Sequence, residues 1–384
     1  MRICFDYSPA LAQGAGIARY TRELALALRR LPEGPALTLF HNRQPIERIP
    51  PALIDLPRAV IPLNNRMWRL FVMSGLMLRP AWSAPIRQCD VFHGTDALIP
   101  AKMIPAVMTI HDLSTHRYPQ HHTRLHRAYA RVTLPRMAKQ ASLIIADSTA
   151  TKLDIVHFLS VPADKVRVIH LGVDHQRFHP ADTESARREV ADLLKSDAPY
   201  ILSVGTLEPR KNLAALLRAF AQTHLGNLRL VLAGGHGWGD SPMQEALRQA
   251  GILDRIQFAG YVPDELLPSL YAAAECFVYP SLYEGFGLPV LEAMACGAPV
   301  LTSNTSSLPE AAGDAAMLFD PLDSAQLARL LTEVSGNADL RSALRARGVQ
   351  RAAEFTWDRT ARETVEVYRS AATRTHDRWS KSCW

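Results

Sequence analysis

The sequence predicts an α/β protein with two domains, each built on a parallel β-sheet. The chain has 384 residues, too many for one ordinary core and enough for two domains of about 150–200 residues each. Short apolar runs alternate with segments of helical period, which is the pattern of repeated β-α-β units. The runs are continuous rather than alternating, as expected for strands covered by helices on both faces.

The second half of the chain shows this pattern most clearly. Segments 212–222 and 263–273 predict helices between the apolar runs. Right-handed crossovers place ligands beyond the carboxyl ends of parallel strands, where the strand order reverses. We therefore expect the functional residues in the loops that follow strands. The predicted strands are 199–205, 228–234, 256–260, 276–280, 298–303 and 316–319.

The first half follows the same pattern less cleanly. A good amphipathic helix is predicted over 17–31, stopped by Pro32 and Gly34. Segment 66–78 is apolar with flanking arginines. It is either an ordinary core or interdomain helix, or an interfacial helix that dips into a membrane or lines an acceptor groove. The predicted strands are 3–5, 37–40, 91–93, 106–110 and 143–146.

Charge is distributed unevenly along the chain. Residues 1–180 contain 23 Lys and Arg against 12 Asp and Glu, whereas the remainder contains 20 against 25. Two stretches without any acid, 56–89 and 113–146, carry much of the excess. They form either a solvated basic face or a surface for an anionic membrane or phosphate-bearing acceptor. Nucleic acid is not expected as a partner, because no aromatic-interleaved basic motif accompanies the charge.

The first residues, the lengths of the apolar runs and the cysteines exclude several classes of protein. The first residues lack the basic-then-apolar layout of a signal peptide, and no apolar run is long enough to span a bilayer. The five cysteines form no CxxC pair, so neither a disulfide framework nor a zinc site is predicted. We expect a protein in the reduced cytoplasm, with peripheral contact to the inner face of the membrane as an open alternative.

The first motif with chemical content runs from Gly205 to Leu213 (GTLEPRKNL). It follows a predicted strand and opens a helix. Gly205 lets the backbone approach a ligand closely, and Arg210 and Lys211 place two cations where a diphosphate would lie. Asn212 is expected to cap the helix. A basic pair before a helix is often simply exposed to solvent, so this motif alone is weak evidence for a diphosphate site.

The second motif runs from Pro280 to Glu292 (PSLYEGFGLPVLE) and also joins a strand to a helix. Backbone N–H groups at 286–288 would point out of the helix N-terminus toward anionic or hydroxyl oxygens. Two carboxylates, Glu284 and Glu292, lie beside this anion site and would repel a phosphate. Sugar hydroxyls explain them, because a carboxylate accepts two O–H bonds at once.

Together these motifs resemble the large nucleotide-sugar glycosyltransferase family with two facing Rossmann-like domains, called GT-B, group 1 or family 4. The resemblance covers nearly the whole chain and is strongest over 199–320. It implies an N-terminal acceptor domain at 1–177 and a C-terminal nucleotide-sugar domain at 178–358, with a deep cleft between them. A C-terminal helix at 359–375 would cross back to the first domain, before a tail at 376–384 that is expected to fray.

The resemblance also implies roles for individual residues. Arg210 and Lys211 would bind the donor diphosphate and stabilise the charge of the leaving group. Glu284 would contact the donor sugar, and Glu292 would hold the ribose hydroxyls. His111, at the end of a predicted strand and next to Asp112, would lie beside the reacting sugar. The remaining donor-binding positions are Gly205, Val262 beside the base, Phe286, Gly287, Leu288, and the loop glycines Gly14 and Gly16.

The family resemblance implies retention at the anomeric carbon with neither a metal nor a cofactor. Enzymes of this pattern build lipopolysaccharide or exopolysaccharide, which ranks GDP-mannose first and UDP-hexoses second as donors. The implied acceptor is a polyprenyl-diphosphate-linked glycan. A sugar-nucleotide epimerase or hydrolase of the same fold stays open, as does a non-catalytic nucleotide-sugar binder. A nicotinamide dehydrogenase is disfavoured, because Arg19 stands where the dinucleotide fingerprint needs a small residue.

Overall fold

Residues 1–12, 16–74, 80–100, 103–235, 237 and 241–380 are described in the computed structural model. The chain divides into two units. Unit 1 contains Met1–Gly172 and the segment from Trp357 onward, and unit 2 contains Val173–Thr356. Val173 and Thr356, where the chain enters and leaves unit 2, form an isolated parallel bridge. The boundary thus lies a few residues before the predicted one at 177/178.

Unit 1 contains a parallel sheet whose strand order reverses between the strands Arg2–Asp6 and Val91–Gly94. Every pairing in it is parallel. Among the described residues, the spatial order of its strands is β3-β2-β1-β4-β5-β6-β7. These strands are β1 Arg2–Asp6, β2 Ala36–Asn42, β3 Arg58–Ile61, β4 Val91–Gly94, β5 Ala106–Ile110, β6 Leu143–Ala146 and β7 Val166–Val168.

The sequence did not predict β3 and β7, which are the two edges of this sheet. In β3, exposed residues alternate with buried ones, and Val60 is 49% exposed. β7 has only three residues. An edge strand has one neighbour and is less covered than a central strand, so neither segment shows the long apolar run that indicates a central strand.

Helices cover the sheet of unit 1 on both faces. The predicted helix at 17–31 spans Gly16–Arg30, and the predicted segment 66–78 is helical over Asn65–Ser74, with 75–79 outside the described residues. The helices are α1 Ser8–Ala12, α2 Gly16–Arg30, α3 Asn65–Ser74, α4 Pro80–Arg87, α5 Ser114–Arg117, α6 Arg124–Gln140 and α7 Thr149–Leu159, together with the C-terminal helix α16 Trp357–Ser380.

The C-terminal helix belongs to unit 1, as predicted. α16 packs against α2, β4 and β5, and the hydroxyl of Thr360 donates a hydrogen bond to the carbonyl of His170 at 2.8 Å. It continues to Ser380, past the predicted end at 375, and 381–384 lie outside the described residues. Among the helices that the structure describes, none is long and apolar enough to cross a membrane.

Unit 2 contains a second parallel sheet, with the order β10-β9-β8-β11-β12-β13 in the described part of the chain. All six predicted strands of this half are present, and their pairings are parallel. Continuous burial explains why the central strands were recognisable, whereas the two edge strands, at 256–260 and 317–319, are partly exposed. They are β8 Tyr200–Val204, β9 Arg229–Ala233, β10 Ile256–Gly260, β11 Cys276–Tyr279, β12 Val300–Ser303 and β13 Met317–Phe319.

The helices of unit 2 follow the predicted alternation with one shift. Helix α11 begins at Leu267, not at 263, because the segment before it forms a turn in which the N–H of Leu266 donates to the carbonyl of Pro263. The helices are α8 Thr183–Leu194, α9 Leu213–Ala221, α10 Ser241–Ala250, α11 Leu267–Ala272, α12 Leu288–Ala295, α13 Leu308–Ala312, α14 Ser324–Gly336 and α15 Ala338–Ala352.

Candidate active site

The two motifs of unit 2 meet at the point where its strand order reverses. β8 and β11 are neighbours in the sheet although two strands separate them in sequence, so the loops that follow them leave the same edge side by side. The N–H of Leu282 donates to the carbonyl of Arg210 at 2.9 Å, and Arg210 Nη1 donates to the carbonyl of Tyr283 at 2.7 Å. These bonds fix one motif against the other.

Asn212 does not cap α9 with its side chain, which corrects the prediction. It lies at the N-terminus of α9 in the left-handed region, with φ of 53°. Its Nδ2 donates instead to the carbonyls of Pro280 and Pro321, at 3.2 and 2.8 Å. The asparagine therefore joins the loops after β8, β11 and β13, and this tertiary role turns the side chain away from the helix end.

The cations of the first motif are paired with carboxylates. Lys211 Nζ lies 2.7 Å from Glu284 Oε1, and Arg210 Nη1 lies 2.9 Å from Glu284 Oε2. Arg210 Nη2 also lies 2.5 Å from Glu208 Oε1. All four side chains are at most 15% exposed. The structure thus brings Arg210, Lys211 and Glu284 together as predicted, and adds Glu208.

Burial and ion pairing act in opposite directions on the carboxylate of this cluster. Burial by itself would raise the pKa of Glu284, but the adjacent charges of Arg210 and Lys211 outweigh it and lower the pKa to about 2. Glu284 is therefore ionised at neutral pH and can only accept hydrogen bonds. It is suited to holding hydroxyl groups and cations rather than to acting as a general acid.

Tyr279, the last residue of β11, contacts the ammonium of Lys211 in this cluster. Its hydroxyl accepts a hydrogen bond from Lys211 Nζ at 2.6 Å, and the ammonium lies 4.9 Å from the centre of its ring. An ammonium has three N–H donors. Since Tyr279 and Glu284 accept two of them, the third can point to a ligand oxygen. The sequence pattern did not indicate this role, because Tyr279 lies in a continuous apolar run and resembles any other residue of a buried strand.

The turn before α12 requires glycine at position 287. Gly287 has φ of 110°, and a Cβ at this position would lie 2.9 Å from Cδ2 of Leu308. The turn is anchored by Ser307, whose hydroxyl is within hydrogen-bond distance of the carbonyls of Glu284 and Phe286 at 2.9 Å each. The predicted N–H groups at 286–288 thus lie at the start of α12, with the side chain of Phe286 buried.

Glu292 is buried rather than solvated, with 3% exposure on α12. Its Oε2 accepts a hydrogen bond from the hydroxyl of Tyr271 at 3.3 Å. The contacts of Glu284 are with Arg210 and Lys211, so the two carboxylates have different neighbours. Burying a carboxylate costs free energy unless it is hydrogen-bonded or paired. Glu292 is therefore not an incidental residue of the helix surface.

The segment predicted to face a nucleotide base follows β10 at the sheet edge. Gly260 adopts φ of 65°, and Val262 is 7% exposed. Arg177 holds the next turn: its Nη1 lies 3.2 Å from Asp264 Oδ2, and its Nη2 donates to the carbonyl of Asp264. Sequence reasoning missed this pairing, because the two residues are far apart in the chain.

In unit 1, His111 is paired with Asp147, not with the adjacent Asp112. Its Nδ1 lies 2.7 Å from Asp147 Oδ2, and its Nε2 lies 2.9 Å from the carbonyl of Thr95. Asp112 instead accepts from the N–H of Ser114. β5 and β6 are parallel neighbours, so the residues after them lie side by side, whereas consecutive residues of an extended chain point apart.

The pairing makes His111 a cation near neutral pH. Burial by itself would lower the pKa of His111, but Asp147 outweighs burial and raises the pKa to about 9. The ring of Tyr20 packs edge-on against His111, with centroids 4.6 Å apart. Of the two loop glycines, Gly16 begins α2 and a Cβ there would meet no atom within 4 Å. Gly14 lies outside the described residues.

Two family descriptions match the chain. Residues 14–177 match "Glycosyltransferase Family 4", and residues 186–351 match "Glycosyl transferases group 1". The O-antigen chain mannosyltransferase B of Escherichia coli is 32% identical over 382 residues, which cover 96% of this chain and 100% of that protein. A D-inositol 3-phosphate glycosyltransferase of Thermobispora bispora is 32% identical over 62% of this chain and 58% of its own.

Solved structures with the same fold were also found. The Anabaena protein Alr3699/HepE, solved with UDP and glucose, superimposes with a TM-score of 0.74 at 19% identity, covering 96% of this chain and all of that one. WaaG, a glycosyltransferase involved in lipopolysaccharide biosynthesis, gives 0.69 at 16% identity, over 96% of this chain and 98% of its own. At these identities the likeness extends to the fold alone.

Proposed function

The chain belongs to the glycosyltransferases of group 1 and family 4, and from that premise we propose that it transfers mannose from GDP-mannose to a lipid-linked oligosaccharide. The product would be part of a bacterial cell-surface polysaccharide. The observation that carries the proposal is the buried cluster of Arg210, Lys211 and Glu284 at the strand-order reversal of unit 2. It combines cations for a diphosphate with an ionised acceptor for sugar hydroxyls.

In the proposed reaction the acceptor hydroxyl oxygen forms a bond to the anomeric carbon. The bond from that carbon to the donor's phosphate oxygen breaks, and GDP leaves with the electron pair. The acceptor attacks from the same face from which the leaving group departs, so the configuration is retained. The proton of the acceptor hydroxyl passes to a phosphate oxygen. Arg210 and Lys211 stabilise the charge that grows on the diphosphate, with the N–H groups at 286–288 beside them. No protein nucleophile and no metal is needed in this scheme.

The remaining donor contacts follow from the same placement. Glu292, buried beside Tyr271, would accept hydrogen bonds from the two ribose hydroxyls. Val262, after the edge strand β10, would meet the guanine through its backbone, with Arg177 and Asp264 holding the turn. Gly205 adopts φ of 151° beside the side chain of Lys211, so the backbone there can approach the diphosphate closely.

The choice of mannose rests on relatives. A relative that matches 96% of this chain is described as an O-antigen chain mannosyltransferase, and a serotype-specific mannosyltransferase of Escherichia coli is 32% identical over 60% of this chain. The Anabaena structure with UDP and glucose shares the fold at 19% identity. UDP-hexoses therefore remain the second class of donor to test.

The acceptor is proposed to be a glycan on a polyprenyl diphosphate, with the protein in peripheral contact with the membrane that carries it. The excess of basic residues in the first 180 positions supports an anionic acceptor. His111, held as a cation by Asp147, is proposed to contact the transferred sugar or the acceptor. Both of its ring N–H groups are engaged, by Asp147 and by the carbonyl of Thr95, so it would act through its positive charge rather than as a base.

The test is a panel of nucleotide sugars scored first by thermal stabilisation and then by turnover. At equal concentration the donor with the lower Kd stabilises the folded protein more, by about 2.7 kcal/mol at 100 times its Kd. We expect GDP-mannose to raise the Tm more than UDP-hexoses. Turnover is then measured with a polyprenyl-diphosphate-linked oligosaccharide, and the anomeric configuration of the product is determined. An inverted product, or a UDP-hexose preferred in both assays, would contradict the proposal.

The competing functions give different results in the same assay. An epimerase or hydrolase would consume the donor rapidly without acceptor. A non-catalytic binder would be stabilised by the donor and would turn over no acceptor. The proposed transferase would release GDP from the donor only slowly until the lipid-linked acceptor is added.

A further inference from the structure

Helices α3 and α6 of unit 1 contact each other through one pair of side chains, and each turns one side to solvent. They touch where the guanidinium of Arg69 lies 5.7 Å from the ring centre of Tyr129. Arg69 also lies 3.4 Å from Asp96, so this arginine is engaged between the helices. The two helices are far apart in sequence, and only the fold places them together.

The outer side of α3 is apolar. Trp68 and Val72 face the core, with exposures of 2% and 5%. At a helical period of 3.6 residues, Met67 and Leu70 fall on the opposite side, and they are 52% and 66% exposed. Exposed Arg66 lies next to them. Exposed apolar residues that lie together and are bordered by polar ones are typical of an interaction surface.

The outer side of α6 repeats this arrangement. Its core side contains Ala130 and Met137, at 4% and 1% exposure. Leu125 and Val132, seven residues apart on the opposite side, are 82% and 60% exposed. This apolar stripe has exposed cations on both of its sides and at its end, namely Arg124, Arg131, Arg136 and Lys139.

Neither helix contains a single acidic residue, although together they contain six arginines and a lysine. Exposed leucine, valine and methionine side chains flanked by arginines match the boundary of a lipid layer, where apolar side chains enter the acyl region and cations meet the headgroups. A nucleic acid would use the cations but leave the apolar stripe unexplained. Charge complementarity therefore selects an anionic lipid surface.

We propose that α3 and α6 together form a docking surface for a bilayer of anionic phospholipid, with Met67, Leu70, Leu125 and Val132 entering the interface. The inference deepens the proposed function, since a lipid-linked acceptor is presented at such a surface. Of the two interpretations of segment 66–78, the core helix is seen in the buried Trp68 and Val72, and this proposal adds the interfacial role for its exposed side.

The experiment is sedimentation of the full-length protein with vesicles, in the absence of donor and acceptor. We expect binding to vesicles of phosphatidylglycerol mixed with phosphatidylcholine, and binding at least about tenfold weaker to phosphatidylcholine alone or at high salt. Equal binding to both vesicles, or binding to neither, would overturn the proposal.

Paired variants locate the surface. Arg124→Glu with Arg131→Glu is expected to weaken vesicle binding about tenfold or more. Arg329→Glu with Arg347→Glu makes the same change in net charge at exposed positions of α14 and α15, and is expected to leave binding unchanged. Equal losses in the two double variants would show a general charge effect and would refute the assignment to α6.

The apolar part is tested in the same way. Leu125→Ser with Val132→Ser is expected to reduce binding, whereas Leu153→Ser, at a 65% exposed position of α7, is its control. Circular dichroism and the Tm establish that each variant is folded. Mannosyl transfer by the wild type to a soluble acceptor analogue is measured separately. If the wild type transfers mannose but binds no vesicles, the docking surface is wrong and the transferase function stands.

Discussion

The ammonium of Lys211 lies 2.7 Å from a carboxylate oxygen of Glu284, inside the structure rather than at its surface. Burial lowers the pKa of Lys211, and the carboxylate opposes that shift. Each of these charges would be costly to bury without the other. Glu284 thus both retains the positive charge that a diphosphate needs and fixes the direction in which that charge points.

Replacing Lys211 by alanine is expected to lower kcat by about 10²–10³-fold, by analogy with the loss of one oxyanion-hole donor, about 2.7–4 kcal/mol. The loss appears in kcat because the lysine acts on charge that grows as the glycosidic bond breaks. Initial rates at saturating GDP-mannose measure it. The control is Arg218→Ala, which removes an exposed cation from the adjoining helix α9. A near-normal kcat for Lys211→Ala would show that the assignment is wrong.

Replacing Tyr279 by phenylalanine is expected to lower kcat about tenfold while the fold is preserved. The variant keeps the ring, which stacks on Phe277, but removes the hydroxyl that lies 2.6 Å from Lys211 Nζ. One hydrogen bond to a charged group contributes about 1.5–3 kcal/mol. Steady-state kinetics and the Tm are measured together. A lowered Tm with unchanged kcat would assign Tyr279 a structural role only.

Glu292 is expected to recognise the ribose. Glu292→Ala should raise the KM for GDP-mannose with little change in kcat, because the ribose is remote from the breaking bond. Binding of GDP and of 2′,3′-dideoxy-GDP gives the sharper measurement. The wild type should prefer GDP, and the variant should bind both alike. If Glu292→Ala still binds GDP more tightly than 2′,3′-dideoxy-GDP, the ribose does not contact Glu292.

The ion pair of His111 and Asp147 predicts a dependence of stability on pH. The folded-state pKa of His111 is about 9, above the ordinary value of about 6.5, so the folded state holds the proton more tightly. The stabilisation is fully present below about pH 6.5 and is lost as pH rises through about 9. The Tm of the wild type should therefore fall across this window more than that of Asp147→Asn. Parallel profiles would contradict the pairing.

The central strands and the donor motifs could be predicted from sequence alone. Strands buried on both faces, such as Tyr200–Val204 and Cys276–Tyr279, are continuous apolar runs, because every residue in them contacts protein. The motifs carrying Arg210, Lys211 and Glu284 follow such strands directly. The topology of parallel sheets therefore brought them to one edge, as expected. The edge strands of unit 1, Arg58–Ile61 and Val166–Val168, gave no such signal.

What sequence could not supply is the choice of partner for each polar group. By itself it determined the alternation of strands and helices, the two-domain architecture and the positions of the cations and carboxylates. Only the tertiary structure decided that His111 pairs with Asp147 rather than Asp112, and that Asn212 joins loops instead of capping a helix. It also brought the ammonium of Lys211 into contact with Tyr279, and α3 into contact with α6. The physical reason is that apolar periodicity is a local property of the chain, whereas hydrogen bonds and ion pairs depend on which strand ends and helices become neighbours.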